Sequence, residues 1–192
     1  MAGEEHEIVA GGEGIFLRPL RDEDIDDRYV SWFRDPRVTQ YLKAKNISRQ
    51  DALDFLHYGQ ETKLRFQYAI CAQDTGLHIG NVKIGDIERN TMISELAMFI
   101  GDRDYWRRGF ATAAHRLAIK IAFESLGIRK LHAGQHRGND GALKACLRSG
   151  WKIEAILHQH VLGPDGYCDL VLLSCFNPAY FTTLPTFPLP IS

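Results

Sequence analysis

The chain has 192 residues, of which 45% are hydrophobic and 24% are charged, a composition typical of a soluble globular protein. Its 23 Lys and Arg residues nearly balance its 24 Asp and Glu residues, so the formal net charge is −1. A chain this close to neutral lacks the broad basic field that non-specific binding to nucleic acid or to an acidic membrane requires, and we predict neither partner.

The cysteines and the apolar segments favour a cytoplasmic protein. Cys71, Cys146, Cys168 and Cys175 form no CxxC pair, and the N-terminus has no apolar signal-peptide core. No apolar run approaches the ~20 residues that a membrane-spanning helix needs. We therefore expect a reduced, cytoplasmic protein whose cysteines are mostly small buried hydrophobic residues.

Three segments divide the chain. Residues 1–14 are rich in Gly and Glu without periodicity and predict a flexible N-terminal tail. Residues 179–192 are rich in proline and predict a C-terminal tail that continues neither sheet nor helix. The segment between them, 15–178, has no internal repeat and no linker, so we expect one domain there.

Strand and helix signals alternate through this domain. Asp22 is placed to cap a first helix, Ser48 with Asp51 resembles a capping box for a second, a third begins at Arg108-Gly109, and a fourth spans about 140–148. Seven predicted strands lie at 15–19, 66–72, 78–87, 92–100, 130–135, 152–162 and 168–176. This order predicts a mixed α/β fold, with a central, mostly antiparallel sheet of about seven strands and helices on both faces.

The most informative segment joins the fourth strand to the third helix, Ile100-Gly-Asp-Arg-Asp-Tyr-Trp-Arg-Arg-Gly-Phe-Ala-Thr112. The first N–H groups of a helix lack intrahelical partners and carry partial positive charge, so a pyrophosphate fits there. Gly109 leaves room for an anion, and Arg107 and Arg108 add charge. By itself the pattern equally suits a helix start that needs glycine for packing beside two solvated arginines.

Two motifs in order give this segment a specific meaning. Trp106-Arg-Arg-Gly-Phe-Ala-Thr112 resembles the cofactor signature of the GNAT acetyltransferase superfamily, and Asn139 followed by Gly150-Trp151 resembles its second cofactor motif. The resemblance covers about 15–176. It is closest to the branch that includes ribosomal-protein alanine N-acetyltransferases, and the stretches 32–42 and 78–85 resemble relatives associated with amino sugars. It implies a GNAT-like fold that uses acetyl-CoA.

The resemblance also implies where acetyl-CoA binds. The backbone of Met98, Phe99 and Ile100 would pair with the pantetheine arm, between two parallel strands that part to admit the thioester. The N–H groups of 107–112 would hold the pyrophosphate, and Asn139 would contact the cofactor, with Lys144 in reach of a phosphate. The implied cofactor-binding residues are Met98, Phe99, Ile100, Trp106, Arg107, Arg108, Gly109, Phe110, Ala111, Thr112, Asn139 and Lys144.

Two residues are candidates for proton transfer. Glu95 lies where several relatives carry a catalytic glutamate that deprotonates the amine, although it equally suits an exposed sheet position or an orienting role. Many relatives protonate the leaving thiolate with a tyrosine seven residues after the motif asparagine, and here that position is Cys146. A thiol is a candidate acid, a core filler is the alternative, and water or the ammonium product can replace it.

The acceptor is less specified than the cofactor. The resemblance places the acceptor pocket near the first two helices and the last strands, and our candidates are Trp32, Phe33, Arg34, Tyr41, His136 and Tyr167. We expect direct attack by a small amine, such as an amino-sugar nucleotide. A protein N-terminus is the alternative acceptor, and a non-catalytic acyl-CoA-binding module is the alternative class. The histidines lack cysteine or carboxylate partners at ligand spacing, so we expect no metal, and we expect a monomer or homodimer.

Overall fold

One eight-stranded sheet organises the protein, in the order β1-β2-β3-β4-β5-β6-β8-β7. The computed structural model describes residues 9–183. The strands are β1 (Ala10–Gly12), β2 (Ile15–Pro19), β3 (Arg65–Ala72), β4 (His78–Gly85), β5 (Ile93–Ile100), β6 (Lys130–His136), β7 (Lys152–Gly163) and β8 (Gly166–Phe176). Among the strand pairs of the described residues, only β5 and β6 are parallel, which confirms the predicted mixed, mostly antiparallel sheet.

Four α-helices pack against this sheet: α1 (Asp27–Trp32), α2 (Arg49–Thr62), α3 (Phe110–Lys120) and α4 (Asp140–Arg148). A π-helical turn, Ile121–Ser125, extends α3 and ends at the C-cap residue Leu126. Ser48 and Asp51 form the predicted capping box at the start of α2, with both reciprocal bonds present. Asp22, however, does not cap α1. It opens a short 3-10 turn, and Asp26 accepts the N–H of Tyr29 instead.

The eighth strand lies within the segment for which the sequence showed no periodicity. Residues 10–12 pair antiparallel with residues 15–17 of β2 at the edge of the sheet. The segment Ala10-Gly-Gly12 has no alternating apolar side chains, and its pairing rests on backbone hydrogen bonds together with the packing of Ala10 against the core. That is why the hydrophobic pattern predicts only seven strands.

Two apolar clusters cover opposite faces of the sheet. One joins the sheet to α3 and α4 and includes Leu96, Leu131 and Trp151. The other joins α1 and α2 to β3 and to Phe99 of β5. Side chains alternate between the faces of a strand, so residues next to Leu96 and Leu131 point away from α3. Glu95 and His132 therefore lie on the same face, opposite α3.

Trp32 fixes the segment that leaves β5. Its ring is 5% exposed and packs edge-on against Phe99 and His78. A Cβ built on Gly101 would overlap this ring, so only glycine fits directly after β5. The packing sets the position at which the chain leaves the sheet and turns toward α3.

We predict that Gly101→Ala destabilises the protein by about 1–3 kcal/mol, because the added methyl group forces the Trp32 ring or the backbone to move. Urea denaturation would measure the loss. Gly141→Ala is the matched control, since a Cβ there meets no atom within 4 Å and the residue lies inside α4. Alanine there should be neutral or slightly stabilising. Equal stability of both variants would contradict the tight contact.

A second prediction concerns His115, which is 3% exposed and packs edge-on against Trp151. Burial lowers its pKa to about 4. A histidine in the unfolded chain titrates near 6.5, so the unfolded state takes up the proton first as the pH falls. His115 therefore lowers the free energy of unfolding progressively between about pH 6.5 and pH 4, by about 3 kcal/mol in total.

Urea denaturation of wild type and His115→Leu at pH 7 and at pH 4.5 would test this. The variant should lose less stability than wild type over that interval, whereas His160→Gln, at an exposed position, should behave as wild type. Identical pH dependence of wild type and His115→Leu would show that His115 is not the group responsible.

Candidate active site

A gap opens between the two parallel strands at the centre of the sheet. Their ladder has three pairs and ends with Glu95 opposite His132, although β5 continues to Ile100 and β6 to His136. The other edge of β5 stays paired with β4 through Ile100. The expected separation of these strands is therefore present, and it leaves backbone groups along 96–100 and 133–136 that need partners.

Trp106 marks the end of this open edge. Its indole nitrogen donates a hydrogen bond to the carbonyl of Ile100 at 2.8 Å, while 37% of the residue stays exposed. The side chain thereby ties the loop after β5 back to the strand. This positions the start of α3 beside the gap.

The N-terminus of α3 presents a group of free amides. Gly109 is the N-cap residue with φ of 84°, and Arg107 has φ of 62°. The first backbone hydrogen bond of the helix runs from the N–H of Thr112 to the carbonyl of Gly109. The N–H groups of 107–111 donate to no acceptor within residues 9–183, and no side chain caps the helix. We call these N–H groups the amide cradle.

The surroundings of the amide cradle favour an anion. A Cβ built on Gly109 meets no atom within 4 Å, so the space above the cradle is open. Arg107 and Arg108 are exposed, and neither forms an ion pair with a carboxylate in the described part of the chain. The Arg108 guanidinium lies 4.9 Å from the centre of the Tyr105 ring, which holds it near the loop. Free amides, the helix dipole and two cations together suit a pyrophosphate.

Helix α4 begins on the β6 side of the gap. Asn139 is its N-cap residue, and its Oδ1 accepts the N–H of Ala142 at 3.4 Å. This bond leaves the amide Nδ2 without a partner within the described residues, so it is available as a donor to a ligand. Lys144, one turn later, is exposed.

Glu95 lies at the point where the two strands part. Lys83 of β4 donates a hydrogen bond from Nζ to Glu95 Oε2 at 2.5 Å, and 39% of the Glu95 side chain is exposed. Lys83 lies opposite Ala97 and therefore diagonal to Glu95, a position that depends on the register of β4 and β5. The pair holds a carboxylate at the mouth of the gap, on the face opposite α3.

Cys146 does not have the environment of a general acid. Its side chain has no exposed surface, and Sγ lies 3.5 Å from Nε2 of the buried His115. Burial raises the pKa of the thiol to about 12. A group enclosed in the core beneath α4 cannot reach a thiolate in the gap, so the structure supports the alternative, a small core residue.

The predicted acceptor residues do not form one pocket. Trp32 and Phe33 are 5% and 6% exposed and belong to the core under α1. Arg34 is exposed, and Tyr167 lies near the tip of the β7–β8 hairpin with 74% exposure. These four residues do not converge, because Trp32 and Phe33 are buried in the core and Tyr167 lies far along the β7–β8 hairpin.

Tyr41 and His136, in contrast, are in contact. Their rings are 5.6 Å apart at 61°, and the Tyr41 hydroxyl donates to the Gly138 carbonyl at 3.2 Å. These contacts fasten the loop between α1 and α2 to the end of β6. Both residues were predicted to line the acceptor pocket, but their contact depends on how the loop packs on β6, which the sequence does not give.

Two features are absent from the described residues. No helix within residues 9–183 is long and apolar enough to cross a membrane. Over the same range no three His, Cys, Asp or Glu side chains are grouped so that they could bind one metal ion.

Comparisons with known proteins agree with this geometry. The acetyltransferase (GNAT) domain model matches residues 15–152. The uncharacterized N-acetyltransferase p20 of Bacillus licheniformis is 24% identical over 88% of this chain and 96% of its own length.

Two solved structures share the fold at 16% identity. One is spermidine N-acetyltransferase from Vibrio cholerae, in complex with CoA and spermine (TM-score 0.79; 88% of this chain and 99% of that one). The other is ribosomal-protein-S5-alanine acetyltransferase from Vibrio fischeri (TM-score 0.77; 89% and 97%). The domain match spans most of the chain and contains both strands of the gap and the amide cradle, so this protein belongs to the GNAT family of acetyl-CoA-dependent acetyltransferases.

Proposed function

We propose that this protein transfers the acetyl group of acetyl-CoA to the amine of a small molecule, with an amino-sugar nucleotide as the favoured class of acceptor. The observation that carries the proposal is the alignment of the amide cradle with the open edges of β5 and β6. The anionic end of a ligand can bind the amide cradle while its amide-rich arm pairs with the open strand edges. The solved relative from Vibrio cholerae, which holds CoA, supports the same use of the fold.

Each part of acetyl-CoA has a counterpart in the site. The pyrophosphate fits the amide cradle, with Arg107 and Arg108 beside it, and the pantetheine amides fit the edge of Met98 to Ile100 that faces the gap, opposite the edge paired with β4. Asn139 is placed to donate to the arm from the α4 side. A backbone N–H at the open edge of β5 is placed to polarise the thioester carbonyl and stabilise its developing negative charge.

The amine reacts only as the neutral base. An alkylammonium with a pKa near 10 is neutral in about one molecule in a thousand at pH 7, so removing its proton is part of the barrier. Glu95 is partly exposed at the mouth of the gap and accepts this proton, directly or through one water. The nitrogen then forms the amide bond as the carbon–sulfur bond breaks. Since Cys146 is enclosed, water or the ammonium formed in the attack protonates the CoA thiolate.

We predict that Gly109→Val weakens acetyl-CoA binding at least ~10-fold, because the side chain occupies the space of the pyrophosphate and removes charge-assisted hydrogen bonds worth about 1.5–3 kcal/mol each. Isothermal titration calorimetry would measure the affinity. Gly127→Val is the matched control, since Gly127 also has positive φ, at 64°, with no atom within 4 Å of a built Cβ. Both variants should lose similar stability, and only Gly109→Val should lose affinity. Unchanged affinity would exclude the amide cradle as the pyrophosphate site.

We predict that Glu95→Gln lowers kcat by about 10²–10⁴ while the Kd for acetyl-CoA stays the same, as expected for loss of a general base. Steady-state release of free thiol would report turnover. Glu13→Gln is the control. Glu13 is also exposed and paired with a basic residue, Arg116 at 2.7 Å, but it lies between β1 and β2 at the edge of the sheet, away from the gap. Full turnover by Glu95→Gln, or an equal loss in both variants, would remove Glu95 as the base.

A further inference from the structure

The face of β6 opposite α3 forms an open strip. His132, Gly134 and His136 alternate along it, while Leu131 and Ala133 are buried on the α3 side. His132 and Gly134 are exposed and His136 is partly buried. Gly134 has no side chain of its own, and the Leu170 side chain of β8 lies 3.2–3.6 Å from where a Cβ of residue 134 would be. A narrow ligand can lie along the strand between the two histidines, with its chain against Leu170.

One end of this strip is the reaction centre. His132 pairs with Glu95 on the last rung of the β5–β6 ladder. Acetyl-CoA reaches the gap from the α3 side, where the amide cradle lies. The free face opposite α3 is therefore the side from which an amine approaches the thioester, and it meets Glu95 and His132 as it does so.

The other end of the strip is covered by the loop between α1 and α2. Tyr41 fastens this loop to the end of β6 through its contacts with His136 and Gly138. Lys43 and Lys45 follow within four residues of Tyr41 along the chain and are exposed. Both charges act on His136. Burial first, and then the positive charges of Lys43 and Lys45, lower the pKa of that imidazole.

This end of the strip carries uncompensated positive charge. Neither Lys43 nor Lys45 forms an ion pair with a carboxylate between residues 9 and 183. The same loop contributes Arg34 and Arg37, which are exposed. Its one carboxylate, Asp35, is paired with Arg103 at 3.2 Å. A second ammonium group would be repelled here, and a phosphate would be attracted.

The strand sets the distance between the two ends. A strand rises about 3.3 Å per residue, so the four residues from His132 to His136 span about 13 Å. We propose that the acceptor is an anionic amine that lies along this strip, with its amino group at Glu95 and His132 and a phosphate or similar anion at Lys43 and Lys45. This inference rests on the proposed acetyl transfer and adds the charge and the length of the acceptor.

A series of synthetic amines that differ in length and charge would test this proposal. Acetyl transfer would be measured with aminoethyl phosphate and with aminooctyl phosphate, which places its phosphate much farther from the nitrogen. Aminooctanol, which lacks the phosphate, and diaminooctane, which has a second cation in its place, complete the series. We expect kcat/KM to be at least ~10-fold higher for aminooctyl phosphate than for the other three, because a charge-assisted contact forms only at the right length.

The double variant Lys43→Gln/Lys45→Gln tests whether the phosphate of the acceptor binds at these two lysines. It should abolish the preference for the long phosphate while leaving kcat/KM for aminooctanol and the Kd for acetyl-CoA unchanged. Lys63→Gln/Lys120→Gln has the same change in net charge, at the C-terminal ends of α2 and α3, and should keep the preference. Nuclear magnetic resonance titration of His136 should show its pKa rising in the first double variant only.

Several results would overturn the inference. A preference for diaminooctane or aminooctanol, or a phosphate preference that survives loss of both lysines, contradicts an anion site on the loop. A weaker Kd for acetyl-CoA in the lysine variant would assign the two charges to the cofactor's own phosphates instead. Failure to turn over any probe, by a protein that still binds acetyl-CoA, also counts against it. Failure to bind acetyl-CoA at all would instead refute the proposed function.

Discussion

The separation of β5 from β6 is the constraint on which the site depends. Two parallel strands in the middle of a sheet normally satisfy each other's backbone groups, and here they do so for only three pairs. The rest of each edge needs hydrogen-bond partners, because unpaired buried backbone groups cost free energy. A ligand rich in amides is a natural partner for such an edge. In the proposed reaction, the same opening gives an amine access to the reacting carbon from the opposite face.

The sequence predicts the fold well where the hydrophobic pattern is strong. The seven strands with apolar alternation and the capping box at Ser48 were found as predicted, and the two cofactor motifs identified the family. Strand β1 was missed because glycine and alanine carry no alternation. Asp22 was predicted to cap the first helix, but the 3-10 turn of residues 22–24 delays the start of α1, and Asp26 is its N-cap residue.

The site is less predictable, because it depends on register and burial. The local pattern around Gly109 predicted the start of a helix, and the structure adds that its amides are free. Trp32 and Phe33 suited an acceptor pocket by their place in the chain, but their rings fill the core. Lys83 reaches Glu95 only because β4 and β5 pair in one particular register. Periodicity within one strand carries no information about which residue of its neighbour lies opposite.

The tight packing of the Trp32 ring against Gly101 limits which parts of such an enzyme can vary. The position of the Trp32 ring determines where the chain leaves β5, and this determines where the amide cradle of α3 lies relative to the sheet. The loop that carries Lys43 and Lys45 begins directly after α1 and is fastened at two further points: Tyr41 contacts the end of β6, and Asp35 pairs with Arg103 of the segment that follows β5. Substitutions beyond these anchors, at exposed positions such as 43 and 45, can change the surface of the loop while the Trp32 ring and the start of α3 stay in place. Variation in that surface is therefore compatible with a constant position for the amide cradle.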